Sequence, residues 1–369
     1  MDEIDLEWQN FITEASDTYD TITDTNTKKN ETSDIKLHGA DFIPKCSDIY
    51  ISTQTKIAYL NSPINLNEVF WKIPIIEYHD EIEGVIKKQM KINNTTQDDV
   101  NDMEQKINQT TNYIEVDIIS KVNNLSARKT KFKDIRKINI GICKKDLMSY
   151  RVKKRGAFYN CFVLIMRIKC ASGTFKVSHI KVFNTGKLEI PGIQDNQFLN
   201  VVLDKLVTLL SPFVNDLQVI HNKTETVLIN SNFTSNFFID RHALSDILKF
   251  KYKIHVVYDP CSYPGIQCKF YFNSKNKIHN GICNCEKRCD KSSRDKSSSI
   301  NSCSEISFMI FRTGSVLIVG HCSEDTLNII YNYVKNILLI ECENIYIEGH
   351  EVKKTKTKKV WKKTIYIDC

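Results

Sequence analysis

Several features that would classify a sequence quickly are missing here. No apolar run approaches the length of a membrane-spanning helix. The beginning, MDEIDLEWQ, carries neither the basic nor the apolar stretch of a secretory signal, so export is not expected. Among the 12 glycines no phosphate-cradling loop can be read, and no nucleophile sits beside a base, so the expectation is a protein that is not an enzyme. Charge of one sign is also lacking: 51 Lys and Arg against 44 Asp and Glu leave a net +7. Any basic surface must therefore be concentrated before it can act on nucleic acid. Cysteine is plentiful instead, and an odd 13 without a secretory start points to a reducing compartment. At 369 residues and 41% hydrophobic content, the chain can bury one large core or two smaller ones.

What the chain does have is a phrase written twice. From Ile180 it reads IKVFNTGKLEIPG, and from Met309 it reads MIFRTGSVLIVG. Each copy is a strand ending in Phe (Phe183, Phe311), a turn closed by Thr-Gly, and a second apolar strand. Apolar strand patterns precede both, FYNCFVLIMRIK from Phe158 and SYPGIQCKFYF from Ser262, with basic residues Arg167 and Lys269. A helix pattern follows both. The first places Phe198, Val201, Val202, Leu206, Leu209 and Leu210 at spacings of three and four before Pro212. The second opens on a Ser323 cap and aligns Leu327, Ile330, Tyr331, Val334 and Leu338. Upstream, SDIYISTQTKIAYLN and a short helix ended by Pro74 match TVLINSNFTSNFF and IDRHALSDILKF. Each unit reads strand, helix, three or more strands, helix. Two such units are expected to share one antiparallel sheet, with helices on one face and the other left open.

MIFRTGSVLIVG resembles the I-F-x-S-G-K hairpin of the TATA-box-binding protein family. SYPGIQCKF resembles that family's F-P-G-L-I-Y-R-M strand, and FVLIMRI its A-V-I-M-R-I. The match covers about half of the chain, and its long insertions resemble the divergent branch carried by large nucleocytoplasmic DNA viruses. The fold implied is α+β: a saddle-shaped, pseudo-two-fold duplicated domain, its curved antiparallel sheet carrying helices on the convex face. The activity implied is binding and bending of A·T-rich promoter DNA from the minor groove, in company with a transcription factor IIB-like protein and RNA polymerase. Host cytoplasm and its viral factory, with packaging in the virion, is the location this implies; for a cellular protein it would be the nucleus. No membrane partner is expected.

The resemblance also implies residue roles. Phe183 and Phe311 match the wedge beside the hairpin turn, and Tyr263 stands where the second wedge of its repeat belongs. In the first repeat, aligning Arg167 with the family arginine puts Cys161 at that place, which leaves Phe158 or Phe162 as the wedge. The alternative for Phe183 and Phe311 is a core role, against which their parity relative to Val182 and Ile310 speaks. Asn230, with Asn232 on the same strand face, would donate to minor-groove acceptors, and Thr55 replaces the equivalent Asn of the first repeat. A buried structural Asn is the other reading of Asn230. Leu317 and Val319 are apolar as the groove requires, whereas their counterparts Glu189 and Pro191 stand where the family has small apolar and Thr residues. Arg167 and Lys269 would contact phosphate, and Lys187 follows the first turn. Thr55 and Glu189 together favour a rival reading, a degenerate saddle that binds proteins and little DNA. A third, a DNA glycosylase, would need a helix–hairpin–helix and a catalytic Lys or Asp, and no such segment is found.

Residues 1–44 are expected to be an acidic, disordered tail, 45–215 the first repeat with an insertion at about 77–157, 216–345 the second with a Cys-rich insertion at about 273–305, and 346–369 a basic tail. The first insertion holds a helix pattern and basic clusters at Lys87, Lys88 and Lys91, at Arg128–Lys137, and at Lys153–Arg155, either solvated or phosphate-binding. The second holds Cys283, Cys285, Cys289 and Cys303. Free thiols and a structural zinc site are both open there, since the spacing C-x-C-x3-C is not a common zinc signature; no other cofactor is required.

Overall fold

The computed structural model describes residues 44–124, 131–148, 159–170, 173–220, 222–285, 289 and 303–348. The acidic stretch before Pro44, the tail beyond 348, Phe158, and the clusters at Arg128–Lys129 and Lys153–Arg155 lie outside them.

The first half runs β1 (Tyr50–Tyr59), α1 (Leu66–Lys72), β2 (Gly84–Asn94), α2 (Gln97–Asn108), β3 (Ile114–Asn123), β4 (Phe132–Gly141), α3 (Lys144–Met148), β5 (Cys161–Lys169), β6 (Phe175–Phe183), β7 (Lys187–Ile193) and α4 (Asn196–Leu210). The second runs β8 (Glu225–Thr234), β9 (Phe238–Ile239), α5 (Arg241–Asp246) continued by a π-turn (Ile247–Lys251), β10 (His255–Val257), β11 (Ile266–Phe272), β12 (Ser304–Ile310), β13 (Ser315–Gly320), α6 (Glu324–Ile340), α7 (Cys342–Ile345) and β14 (Tyr346–Ile347). Twelve strands form one antiparallel sheet in the order β10-β11-β12-β13-β8-β1-β7-β6-β5-β2-β4-β3. The fold is an α+β saddle, a curved antiparallel sheet backed by helices.

The two halves are related by a pseudo-two-fold axis between β1 and β8. Thr53 pairs with Asn230 and Thr55 with Leu228, a pattern that maps onto itself when Thr55 is exchanged for Asn230. Outward from the axis, β7, β6, β5 and β2 answer β13, β12, β11 and β10. Strand β2 thus belongs to the repeat although it falls within the stretch read as insertion. The added material is narrower: α2, the β3–β4 hairpin that widens the sheet, and α3.

Alternate strand residues face the helices, as the two-residue period of a strand demands. Phe162, Leu164, Met166, Ile180, Val182, Leu188 and Ile190 meet α1 and α4 in one core. Ile266, Phe270, Ile306, Phe308, Val316 and Ile318 meet α5 and α6 in the other. Each core therefore sits on the helix side of its own half, and the remaining strand residues define the opposite face. Asp195 caps α4 by accepting from Phe198 N, and Ser323 caps α6 by accepting from Thr326 N at 3.2 Å. Helix α6 buries the five residues expected of it. Helix α4 differs, since Leu199 and Leu203 are buried while Val201 is 39% exposed. Val201 and Val202 lie about 100° apart on a helix and cannot both centre one stripe.

Candidate nucleic-acid interface

The two hairpin turns are geometric copies. Gly186 N donates to Phe183 O and Gly314 N to Phe311 O, both at 3.0 Å. Both glycines take left-handed backbone, φ +80° and +81°, and a Cβ on either would collide with backbone, at Ser62 O (2.6 Å) and Phe237 O (2.3 Å). The turn delivers Phe183 and Phe311, half-exposed, to the face away from the helices, whereas neighbouring Val182 and Ile310 are fully buried.

In the second half an aromatic pair forms there. The rings of Tyr263 and Phe311 meet edge-on, with centroids 6.0 Å apart. Gly265 lies beneath them, and a Cβ at that position would stand 2.9 Å from Tyr263 Cε1 and 3.0 Å from Phe311 Cε1. A methyl group there would push against both rings. The Tyr263 hydroxyl lies 3.4 Å from Met309 Sδ, and burial pushes its pKa up. Inward along the same face are Leu317, which pairs with Asn232, and Val319, which pairs with Asn230. Asn230 is 8% exposed and leaves Oδ1 without a hydrogen-bond partner, while Asn232 Nδ2 donates to Ser52 Oγ at 2.8 Å. Val257, 51% exposed, lies at the outer edge of this face. Among the described residues no helix packs on this side of the second half.

The first half departs from that plan. Phe183 pairs with Cys161, and Ile310 with Ile266, which carries Phe311 opposite Gly265. Cys161 is thus the counterpart of Gly265, and Tyr159 the counterpart of Tyr263. Phe162, a wedge candidate by sequence, is excluded: it is fully buried on the helix side against Phe70. Its neighbour Cys161 faces the open side, so Phe162 must face the helices. The other candidate, Phe158, lies outside the described residues. Tyr159, half-exposed, holds the Lys91 ammonium 3.6 Å from its ring centroid. The same register makes Ile165, not Arg167, the counterpart of Lys269, and Arg167 that of Tyr271. Cys161 is buried, which raises its thiol pKa to about 11. Thr55 is also buried, and Lys187 lies 5.6 Å from the Phe183 ring centroid.

The charges named from the sequence are engaged within the chain. The Arg167 guanidinium donates to the carbonyl oxygens of Tyr78, at 2.6 Å, and Asp80. Lys269 pairs with Glu305 at 3.1 Å, and Glu189 with Lys181 directly across the strands at 2.8 Å. The Lys87–Lys91 cluster is not a solvated basic patch. Lys87 is buried against Asp146, and Lys88 is buried with Nζ donating to Ile73 O at 2.6 Å. Burial opposes ionisation of Asp146, but Lys87 and the Cys143 N–H outweigh it and hold the carboxyl below its usual range. Arg136 binds Asp134 and Glu104 on the helix side. Ile86, Cys143 and Ile165 form a small apolar cluster with Ile76 and Tyr78, so loop and α3 cover the outer part of the first half's open face. The sequence reading missed Tyr159, Tyr78, Asp80 and Lys181. Only Tyr159 left a signal, a Tyr two residues ahead of a small residue in both units.

At the far end of β11 and β12, Cys283, Cys285, Cys289 and Cys303 converge, with all four Sγ atoms within 4.8 Å of one another. Such a cluster can hold a metal ion, and none of the four is in a disulfide. No helix among the described residues is long and apolar enough to cross a membrane.

No protein-family description matches the chain, and no curated protein does. Among solved structures the chain is similar to Methanococcus jannaschii TBP, at 13% identity and a TM-score of 0.36, over 80% of this chain and 99% of that one.

Proposed function

We propose that the protein binds and bends A·T-rich promoter DNA from the minor groove, through its helix-free sheet face, as a TATA-box-binding-like initiation factor. The observation that carries this is the Tyr263–Phe311 pair seated over Gly265. A rigid aromatic pair at the rim of an apolar face is suited to enter a base step and unstack it, which favours flexible A·T-rich steps. Leu317 would supply apolar floor, with Val319 and Asn230 largely buried beside it, and the Asn230 Nδ2 is the group that would donate to a minor-groove acceptor, since Oδ1 can only accept. Phe183 and Tyr159 would act in the first half, less symmetrically. A transcription factor IIB-like protein and RNA polymerase are the partners this implies, within a viral factory in host cytoplasm if the viral branch applies. No catalytic role is assigned. The four-cysteine cluster enters as a structural metal site.

A second reading has its own observation. Tyr78, Asp80, Glu189 and Asp146 bind Arg167, Lys181 and Lys87 across the first half, as a protein-binding saddle with little use for DNA would have it. Fluorescence anisotropy with A·T-rich and G·C-rich duplexes at two salt concentrations separates the two. Tighter A·T binding that weakens in Phe311→Ala supports wedging. Equal, salt-sensitive binding that ignores Phe311 leaves only phosphate contacts and favours the second reading.

A further inference from the structure

The geometry points to a zinc ion held by the thiolates of Cys283, Cys285, Cys289 and Cys303, which staples the loop between β11 and β12 shut. Four thiolates around zinc at about 2.3 Å sit on a tetrahedron whose sulfur–sulfur edges are about 3.8 Å. Cys285 Sγ lies 3.6 Å from Cys303 Sγ, and Cys303 Sγ 3.9 Å from Cys283 Sγ. Both edges are far longer than the about 2.05 Å of a disulfide and bracket the zinc value. Sulfur alone in a tetrahedron selects zinc or iron over the hard cations.

A backbone donor already points at the sulfurs. Cys303 N donates to Cys289 Sγ at 3.4 Å.

The fold has prepared both approaches. Gly281 O accepts from Tyr271 N at 3.1 Å, and the ring of His279 stacks on Phe272 with centroids 4.7 Å apart, which leads the chain back to the first three cysteines. Cys303 directly precedes Ser304, whose strand partner is Phe272. Three ligands after β11 and one just before β12 would tie the ends of these two strands together.

The test uses the full chain purified without chelator. Mass spectrometry of the metal content is expected to give one zinc per chain in the wild type and in Cys261→Ser, and its loss in Cys285→Ser. Cobalt titrated into the chelator-stripped wild type is expected to give the visible spectrum of tetrahedral four-sulfur coordination, which guards against a variant that merely misfolds. A folded wild type with no metal, a cobalt spectrum with fewer sulfurs, or iron in place of zinc overturns the proposal. DNA binding plays no part in these outcomes, so they stand or fall apart from the function proposed for the sheet face.

Discussion

Glu189 and Lys181 face each other across β7 and β6, their charges 2.8 Å apart on the open face of the first half. A lone carboxylate there would repel a groove lined with acceptors. The pair instead presents almost no net charge, at the cost of a lysine that could otherwise reach phosphate. Glu189→Gln removes the negative charge opposite Lys181 and is therefore expected to strengthen duplex binding and steepen its salt dependence by up to about 0.9 in log–log slope. The lost pair is partly exposed and worth only about 0.2–1 kcal/mol of stability. Anisotropy titrations across salt concentrations check this, and weaker binding by the variant would show that the ion pair itself organises the surface.

The aromatic pair yields a sharper test, because Gly265 lies directly below it. Gly265→Ala places a methyl group about 3 Å from both rings and must spread them. Preference for A·T-rich over G·C-rich duplex is expected to fall by roughly 1–3 kcal/mol in Phe311→Ala and Tyr263→Ala, the scale of one stacked base. Gly265→Ala should fall between these variants and the wild type, and Tyr263→Phe should keep the preference. Loss in Tyr263→Phe would assign the work to the hydroxyl and not to the ring.

Arg167 separates a phosphate contact from a structural clamp. Its guanidinium holds the Tyr78 and Asp80 carbonyls and lies 5.2 Å from the Tyr78 ring centroid. Arg167→Ala is expected to cost about 1.5–3 kcal/mol in chemical denaturation, the range for hydrogen bonds to a charged group. The salt slope of DNA binding should stay unchanged. A slope smaller by about 0.9 with unaltered stability would return Arg167 to the phosphate.

The parts of this architecture legible in the sequence are those set by local chemistry. A Phe before a Thr-Gly turn, a Ser ahead of two acids, and spacings of three and four each leave their mark within a few residues. The β2 strand and the β3–β4 hairpin left no such mark, since their identity comes from partners distant in sequence. The first-half register was misread because Arg167 and Lys269 share a charge, and aligning them slips β5 by two residues. A slip of two keeps every side chain on its own face, so alternation gives no warning. The slip hid Tyr159, which only the pairing of Phe183 with Cys161 recovers. Covering of the first-half face was illegible for another reason: Tyr78 and Asp80 act through carbonyl oxygens, which every residue has.

Lys88 offers a test of the core by pH. Its ammonium is buried beneath α1, where Nζ donates to Ile73 O at 2.6 Å and Trp71 O at 3.3 Å, and burial pulls its pKa down to about 8. An unfolded lysine titrates near about 10.4. Between these values the unfolded chain holds a proton that the folded chain has released, so the contribution of Lys88 to stability rises with pH through that window. Below it both states are protonated and the full burial cost is present. The neutral amine still donates to both carbonyls, so no hydrogen bond is lost on the way up. Denaturation of wild type and Lys88→Met at about pH 7 and about pH 9.5 should shift the difference toward wild type by up to roughly 2 kcal/mol, at about 1.4 kcal/mol per pH unit. The comparison with Lys88→Met cancels the opposing titration of buried Cys161 and partly buried Tyr252, both of which are raised. A difference that does not move with pH would mean that water reaches the Lys88 ammonium and that α1 is not sealed against β2.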